Sequence, residues 1–150
     1  MSPTVHRRNL FASVLAGAGA FLATKAQATP VTPDRAKVVY HLCDLDKVHF
    51  VLGNIKNHFD GMGGPDKVTI ALVVHGPALK SFYSSSASPD VSKRVDGFAK
   101  DGLALMACGN TMKAQDITLK DLLPGFVEAD KGGVVRIAEL QSQGYVYLKP

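Results

Sequence analysis

The chain has 150 residues, 46% of them apolar and 20% charged, which suits one soluble domain with its own core and excludes a disordered or collagen-like chain. The net charge of +4 sits at one end: residues 1–28 carry Arg7, Arg8 and Lys25 and no acid, leaving 14 basic against 13 acidic side chains beyond them. A nearly neutral body without a basic stripe argues against a nucleic-acid partner, and two cysteines are too few for a disulfide scaffold.

The first element is a targeting segment. Arg7 and Arg8 precede a modestly apolar stretch, residues 10–23, softened by Gly17 and Gly19, and Ala26-Gln27-Ala28 is a small-x-small cleavage site. The stretch is shorter than the roughly 20 residues that span a bilayer. It reads as a twin-arginine-type signal peptide over 1–28, so the mature protein is expected in the periplasm with no membrane anchor. Residues 29–36, with Pro30 and Pro33, read as a flexible lead-in to one domain over 37–150.

Residues 37–43 are short, β-branched and bounded by charge, which predicts a buried strand. Asp44 or Asp46 can cap a following helix whose Val48, Val51, Leu52, Ile55 and Phe59 fall on one stripe. Gly61 to Pro65 ends it. Residues 67–74 form a second apolar strand, stopped by His75-Gly76-Pro77; residues 78–83 read as a helical turn and 84–88 as a loop. Pro89 opens a helix with Val91, Val95 and Phe98 on one face, closed by Gly102. Residues 103–107 are the third strand, 111–123 hold one or two short helices starting at Thr111, and 126–129 are the fourth strand. An amphipathic helix over 134–143 and a fifth strand over 145–148 close the chain. Alternating α and β elements with continuous apolar strands imply an α/β fold: a three-layer α/β/α sandwich with a mainly parallel sheet of five strands.

Ligands in such folds bind beyond the carboxyl ends of the strands. The first strand ends with His41 and Cys43, the second with His75-Gly76, and the third with Cys108-Gly109-Asn110. Cys108 is the leading candidate: a helix starting at Thr111 would favour its thiolate, and Gly109 would leave room for a substrate beside it. His75 is either a base for that thiolate or a partner for backbone groups at the Gly-Pro turn. Strand alternation puts His41 and Cys43 on one face, where His41 reads as a hydrogen-bonded core histidine. Cys43 reads as core, as a resolving thiol, or as a disulfide partner of Cys108. His49 and His58 flank the apolar stripe of the first helix on opposite sides. No CxxC, CxxCH, HExxH or GxGxxG is present. Cys43, His75 and Cys108 are then the sole metal-ligand set considered, and no metal or cofactor is expected.

The segments VVYHLCDLDKVHFVLGNIKN (38–57), VVHGPAL (73–79), ACGNTMK (107–113), DLLPG (121–125) and ELQSQGYVYLKP (139–150) together resemble the DsrE/DsrF-like family. That resemblance implies a parallel α/β/α sandwich and a place in sulfur relay, with a strand-end cysteine carrying sulfane sulfur as a persulfide. Cys108 matches that cysteine and His75 the histidine of an HG turn, with Asn110 at the CGNT motif. It also implies a sulfur donor and acceptor as partners, small molecules or protein thiols, and a trimeric or hexameric homo-oligomer. Two functions stand at this point. One is an exported sulfur carrier or sulfurtransferase, with Cys108, His75 and Asn110 as its machinery, Cys43 as a second thiol, and His41, Gly76, Gly109 and Thr111 around the pocket. The other is a non-enzymatic oligomeric module that binds a small ligand, its cysteine inert or disulfide-bonded.

Overall fold

Five short runs of aliphatic and β-branched residues become strands, because a strand covered on both faces has little use for polar positions. The structure, a computed structural model, describes residues 35–150; the signal peptide expected over 1–28 and the lead-in up to residue 34 lie outside the described residues. Strands β1 (Ala36–Leu42), β2 (Val68–Val74), β3 (Ala104–Cys108), β4 (Phe126–Ala129) and β5 (Val146–Leu148) form one sheet. Its order is β4-β3-β2-β1-β5 and every pairing is parallel. The helices are α1 (Val48–Met62), α2 (Pro89–Lys100), α3 (Gly109–Ala114) and α4 (Gly133–Ser142). Single 3-10 segments occupy Leu45–Lys47, Gly76–Phe82 and Leu119–Asp121.

The topology explains the layers. From β1 the chain steps to β2, β3 and β4 in one direction, then returns past β1 to β5. Right-handed crossovers in opposite directions must lie on opposite faces. On one face α1 contributes Val51, Leu52, Ile55 and Phe59 and α2 contributes Val91, Val95 and Phe98, packed on Val38, Tyr40, Ile70, Leu72 and Val74. On the other face, among the described residues, α4 alone sets Ile137 and Leu140 against Val39, Ala71, Val73 and Met106. The apolar stripes read for the first two long helices are the buried ones. Ser88 caps α2 by accepting the Val91 N–H at 3.2 Å, with Pro89 in the first turn.

Register then aligns the functional edge. Leu42 pairs with Val74, and Val74 with Ala107. One residue further on, Cys43, His75 and Cys108 stand abreast at the carboxyl edge of β1, β2 and β3. By alternation they share the α4 face with Val39, Val73 and Met106.

One element begins earlier than its sequence suggests. The helix expected at Thr111 starts at Gly109, so Cys108 itself is its N-cap. Gly109 permits this sharp turn because a Cβ there would lie 2.6 Å from Glu128 Oε1 and 3.0 Å from the Ala129 carbonyl oxygen. Its smallness serves packing on the end of β4 and not the access of a substrate.

Candidate functional site

Cys108 ends an apolar strand and begins a helix, so its side chain stands where free backbone N–H groups point outward. It is a buried residue, 5% exposed, and lines an open cavity of about 490 Å³ together with His75, Gly76, Asn110, Thr111 and the Gly132-Gly133 turn before α4. Burial pushes the Cys108 thiol up. Hydrogen bonds from the Thr111 hydroxyl and from the N–H groups of Thr111, Gly133 and Asn110 outweigh that, and the net shift is down. The thiolate therefore has donors from both α3 and α4.

Thr111 is held to this task. Its Oγ1 accepts the Gly76 N–H at 2.9 Å, which leaves its own proton free to point at the sulfur. The Gly76 carbonyl accepts from the Gln115 side-chain amide at 3.1 Å, and the Tyr83 hydroxyl donates to Gln115 Oε1. A chain of contacts thus runs from Tyr83 through Gln115 and the 75–77 turn to the nucleophile. Gly133 completes the wall: a Cβ there would sit 3.3 Å from Cys108 Cβ, 3.3 Å from Val73 Cγ1 and 3.5 Å from His75 Cβ. Asn110 turns its amide nitrogen toward Gly132, where an added Cβ would meet it at 2.6 Å. Lys80 and Lys131 also line the cavity, and among the described residues no carboxylate does.

The strand-end residues divide into two groups. Gly76, Asn110 and Thr111 join Cys108 at the cavity, whereas His41 and Gly109 do not line it. His41 instead meets His75 edge to edge, ring centroids 4.6 Å apart and planes 17° from parallel, with their Nε2 atoms hydrogen-bonded to each other. His41 Nδ1 lies 2.7 Å from the Tyr147 hydroxyl on β5. Burial lowers both histidines below the ordinary value, helped by mutual repulsion at His41 and by the nearby Lys149 ammonium. His75 thus lines the cavity while its Nε2 bonds to His41. Cys43 is half-buried, and its sulfur donates to Asp44 Oδ1 at 3.3 Å. Burial, then Asp44, raises its pKa.

Both cysteines are free thiols, which corrects the disulfide reading. The reason is strand order: β2 lies between β1 and β3. Two strand spacings put the two Cα atoms about 10 Å apart, against a disulfide limit of about 7 Å. The same separation undoes the Cys43, His75, Cys108 metal set; the triad that gathers among the described residues is His41, Cys43 and His75. His49 pairs with Asp90 at 3.2 Å and His58 bonds the Tyr40 hydroxyl at 2.9 Å, away from both groups. Gln115, Tyr83, Lys80 and Gly133 were not legible as site residues. Their one sequence signal is the Gly132-Gly133 pair, which reads simply as a helix start.

Comparison with known proteins agrees with the fold. A model of the DsrE/DsrF-like family matches residues 45–150. Among curated proteins none matches. Among solved structures the fold is similar to MTH1491 from Methanobacterium thermoautotrophicum, described as a protein of unknown function. That pair is 26% identical at a TM-score of 0.67, over 77% of this chain and 99% of the other. It is also similar to the YchN protein from E. coli, 9% identical at a TM-score of 0.54, over 76% of this chain and 99% of that one, a likeness of fold alone.

Proposed function

Because this chain belongs to the DsrE/DsrF-like family, which is associated with sulfur relay, we propose that it is a sulfur carrier or sulfurtransferase with Cys108 as the carrying thiol. One observation carries the reading: Cys108 is a cavity-lining thiol whose pKa is pulled down by four hydrogen bonds from Thr111, Gly133 and Asn110. A thiolate at ambient pH is the form that attacks sulfur.

In the reaction the Cys108 thiolate attacks a sulfane sulfur of the donor, for example polysulfide. The S–Sγ bond forms, the donor's S–S bond breaks, and the shortened donor leaves as an anion. The product is a Cys108 persulfide, itself anionic, held by the same N–H and hydroxyl donors. An acceptor thiolate then attacks the outer sulfur, and Cys108 leaves as thiolate. Both steps are sulfur exchanges that need no added electron or cofactor. Lys80 and Lys131 at the cavity favour an anionic donor. His75, turned toward His41, acts on the shape and polarity of the wall, and takes a proton when the arriving acceptor is a thiol.

The reading extends to setting and assembly. The twin arginines and the Ala26-Gln27-Ala28 site support export to the periplasm. The single-helix face leaves Val127 (54% exposed) and Tyr147 (39%) uncovered, which supports burial between copies in a homo-oligomer.

Sulfur transfer tests the reading. The reduced full chain is loaded with polysulfide, freed of excess reagent and mixed with a small acceptor thiol, and persulfide on the acceptor is measured. One equivalent per chain is expected from wild type and from Cys43→Ser, and none from Cys108→Ser. A Cys108→Ser protein that still transfers sulfur refutes the assignment, and a wild type that transfers none moves the reading to a ligand-binding module.

A further inference from the structure

A second cluster of chemically able side chains stands over the carboxyl end of β1. The Cys108 chemistry uses neither His41 nor Cys43, and both precede the residues the family matches. We propose that His41, Cys43 and His75 form a His2Cys site for one d10 cation, Cu(I) or Zn²⁺.

The geometry is that of a site needing little movement. One ligand atom from each residue lies within 4.8 Å of the other two. A trigonal or tetrahedral cation with ordinary metal–nitrogen and metal–sulfur bonds holds its donors roughly 3.3–3.8 Å apart. The two imidazoles already turn their Nε2 atoms to the same point, where only one proton fits between them. A cation takes that place and both lone pairs, and the displaced proton moves to the Nδ1 of its own ring. His41 is braced from behind by Tyr147, whose hydroxyl lies 2.7 Å from Nδ1. This outer hydrogen bond fixes the tautomer and aim of a metal-binding histidine. The two rings lie nearly in one plane, 17° apart, so both Nε2 atoms aim along the ring edges at that point.

The donor set names the class of ion. Two imidazoles and a thiolate suit Zn²⁺ and Cu(I) and not Mg²⁺ or Ca²⁺, which take oxygen. Three donors complete a trigonal Cu(I) site; Zn²⁺ would add a water or the Asp44 carboxylate, 3.3 Å from Cys43 Sγ. The other charge facing the cluster is Lys149, whose pull on the Cys43 sulfur is outweighed by burial and Asp44. Binding replaces the thiol proton, so one proton is released and nothing is oxidised.

The test uses the full chain, reduced and stripped of metal, titrated without oxygen against a coloured competing chelator, once with Zn²⁺ and once with Cu(I). One equivalent per chain is expected from at least one of the two, and the tighter one identifies the ion. Cys43→Ser and His41→Gln are expected to weaken binding at least about a hundredfold, and Tyr147→Phe about tenfold, while Cys108→Ser leaves it unchanged. Co²⁺ is expected to give a thiolate charge-transfer band that Cys43→Ser, a conservative change at a half-buried position, abolishes. No stoichiometric binding of either ion, binding indifferent to Cys43→Ser, or binding lost in Cys108→Ser overturns the proposal.

Discussion

Replacing Thr111 by valine removes one hydrogen bond to the Cys108 sulfur while keeping the shape of the side chain. Of the four donors that hold this thiolate, the Thr111 hydroxyl is the strongest. A hydrogen bond to a charged group is worth about 1.5–3 kcal/mol. At about 1.4 kcal/mol per decade, the acid dissociation constant of Cys108 should fall roughly ten- to a hundredfold. The assay is the rate of alkylation by iodoacetamide across pH, in a Cys43→Ser background so that one thiol reports. Thr111→Ser, which keeps the hydroxyl, should restore most of the rate. Valine also strips the Gly76 N–H of its acceptor, now 2.9 Å away, so the variant should lose about 1–3 kcal/mol of stability to denaturant. An alkylation profile in Thr111→Val that overlays the parent would refute the claim that this hydroxyl holds the thiolate.

Three further outcomes follow from the same geometry. The two thiols should titrate on opposite sides of 9.0, Cys108 below and Cys43 above. A small alkylating reagent at neutral pH should thus label the Cys108 peptide first despite its burial, and equal labelling would contradict the hydrogen-bond argument. Gly133→Ala places a methyl 3.3 Å from both Cys108 Cβ and Val73 Cγ1; it should cost about 1–3 kcal/mol in denaturant unfolding and slow Cys108 alkylation by pushing the Gly133 N–H off the sulfur. The burial-lowered histidines bind protons more weakly folded than unfolded, so their contribution to stability is whole above 6.5 and is lost as pH falls from there toward their folded values. Unfolding of the metal-free chain across pH 5–8 should show that decline, and His41→Gln should flatten it.

What the sequence revealed follows from which forces are local. The strands were legible because two-sided burial leaves near-continuous apolar runs such as Ile70 to Val74, and the helices because Val48, Val51, Leu52, Ile55 and Phe59 repeat at helical spacing. Cys108, His75 and Cys43 were legible as strand-end residues for the same reason. Strand order was not, since pairing between distant segments leaves no trace in either segment alone. With it went the separation of Cys43 from Cys108 and the meeting of His41 with His75 and Tyr147, 34 and 106 residues away. Gly109 reads from sequence as open space for a substrate. In the fold it is a close contact with Glu128 and Ala129, which only the packing of β4 reveals. Gln115 and Tyr83 reach the site through the carbonyl of Gly76, a route set by tertiary position.

The most direct measurement locates the sulfur. The reduced full chain is exposed to polysulfide, freed of reagent, alkylated and digested, and its peptides are weighed by mass spectrometry for wild type, Cys43→Ser and Cys108→Ser. One added sulfur on the Cys108 peptide, kept in Cys43→Ser and gone in Cys108→Ser, is the expected result. Sulfur found on Cys43 instead, or a Cys108 peptide that never gains it, would contradict the assignment of Cys108 as the carrier.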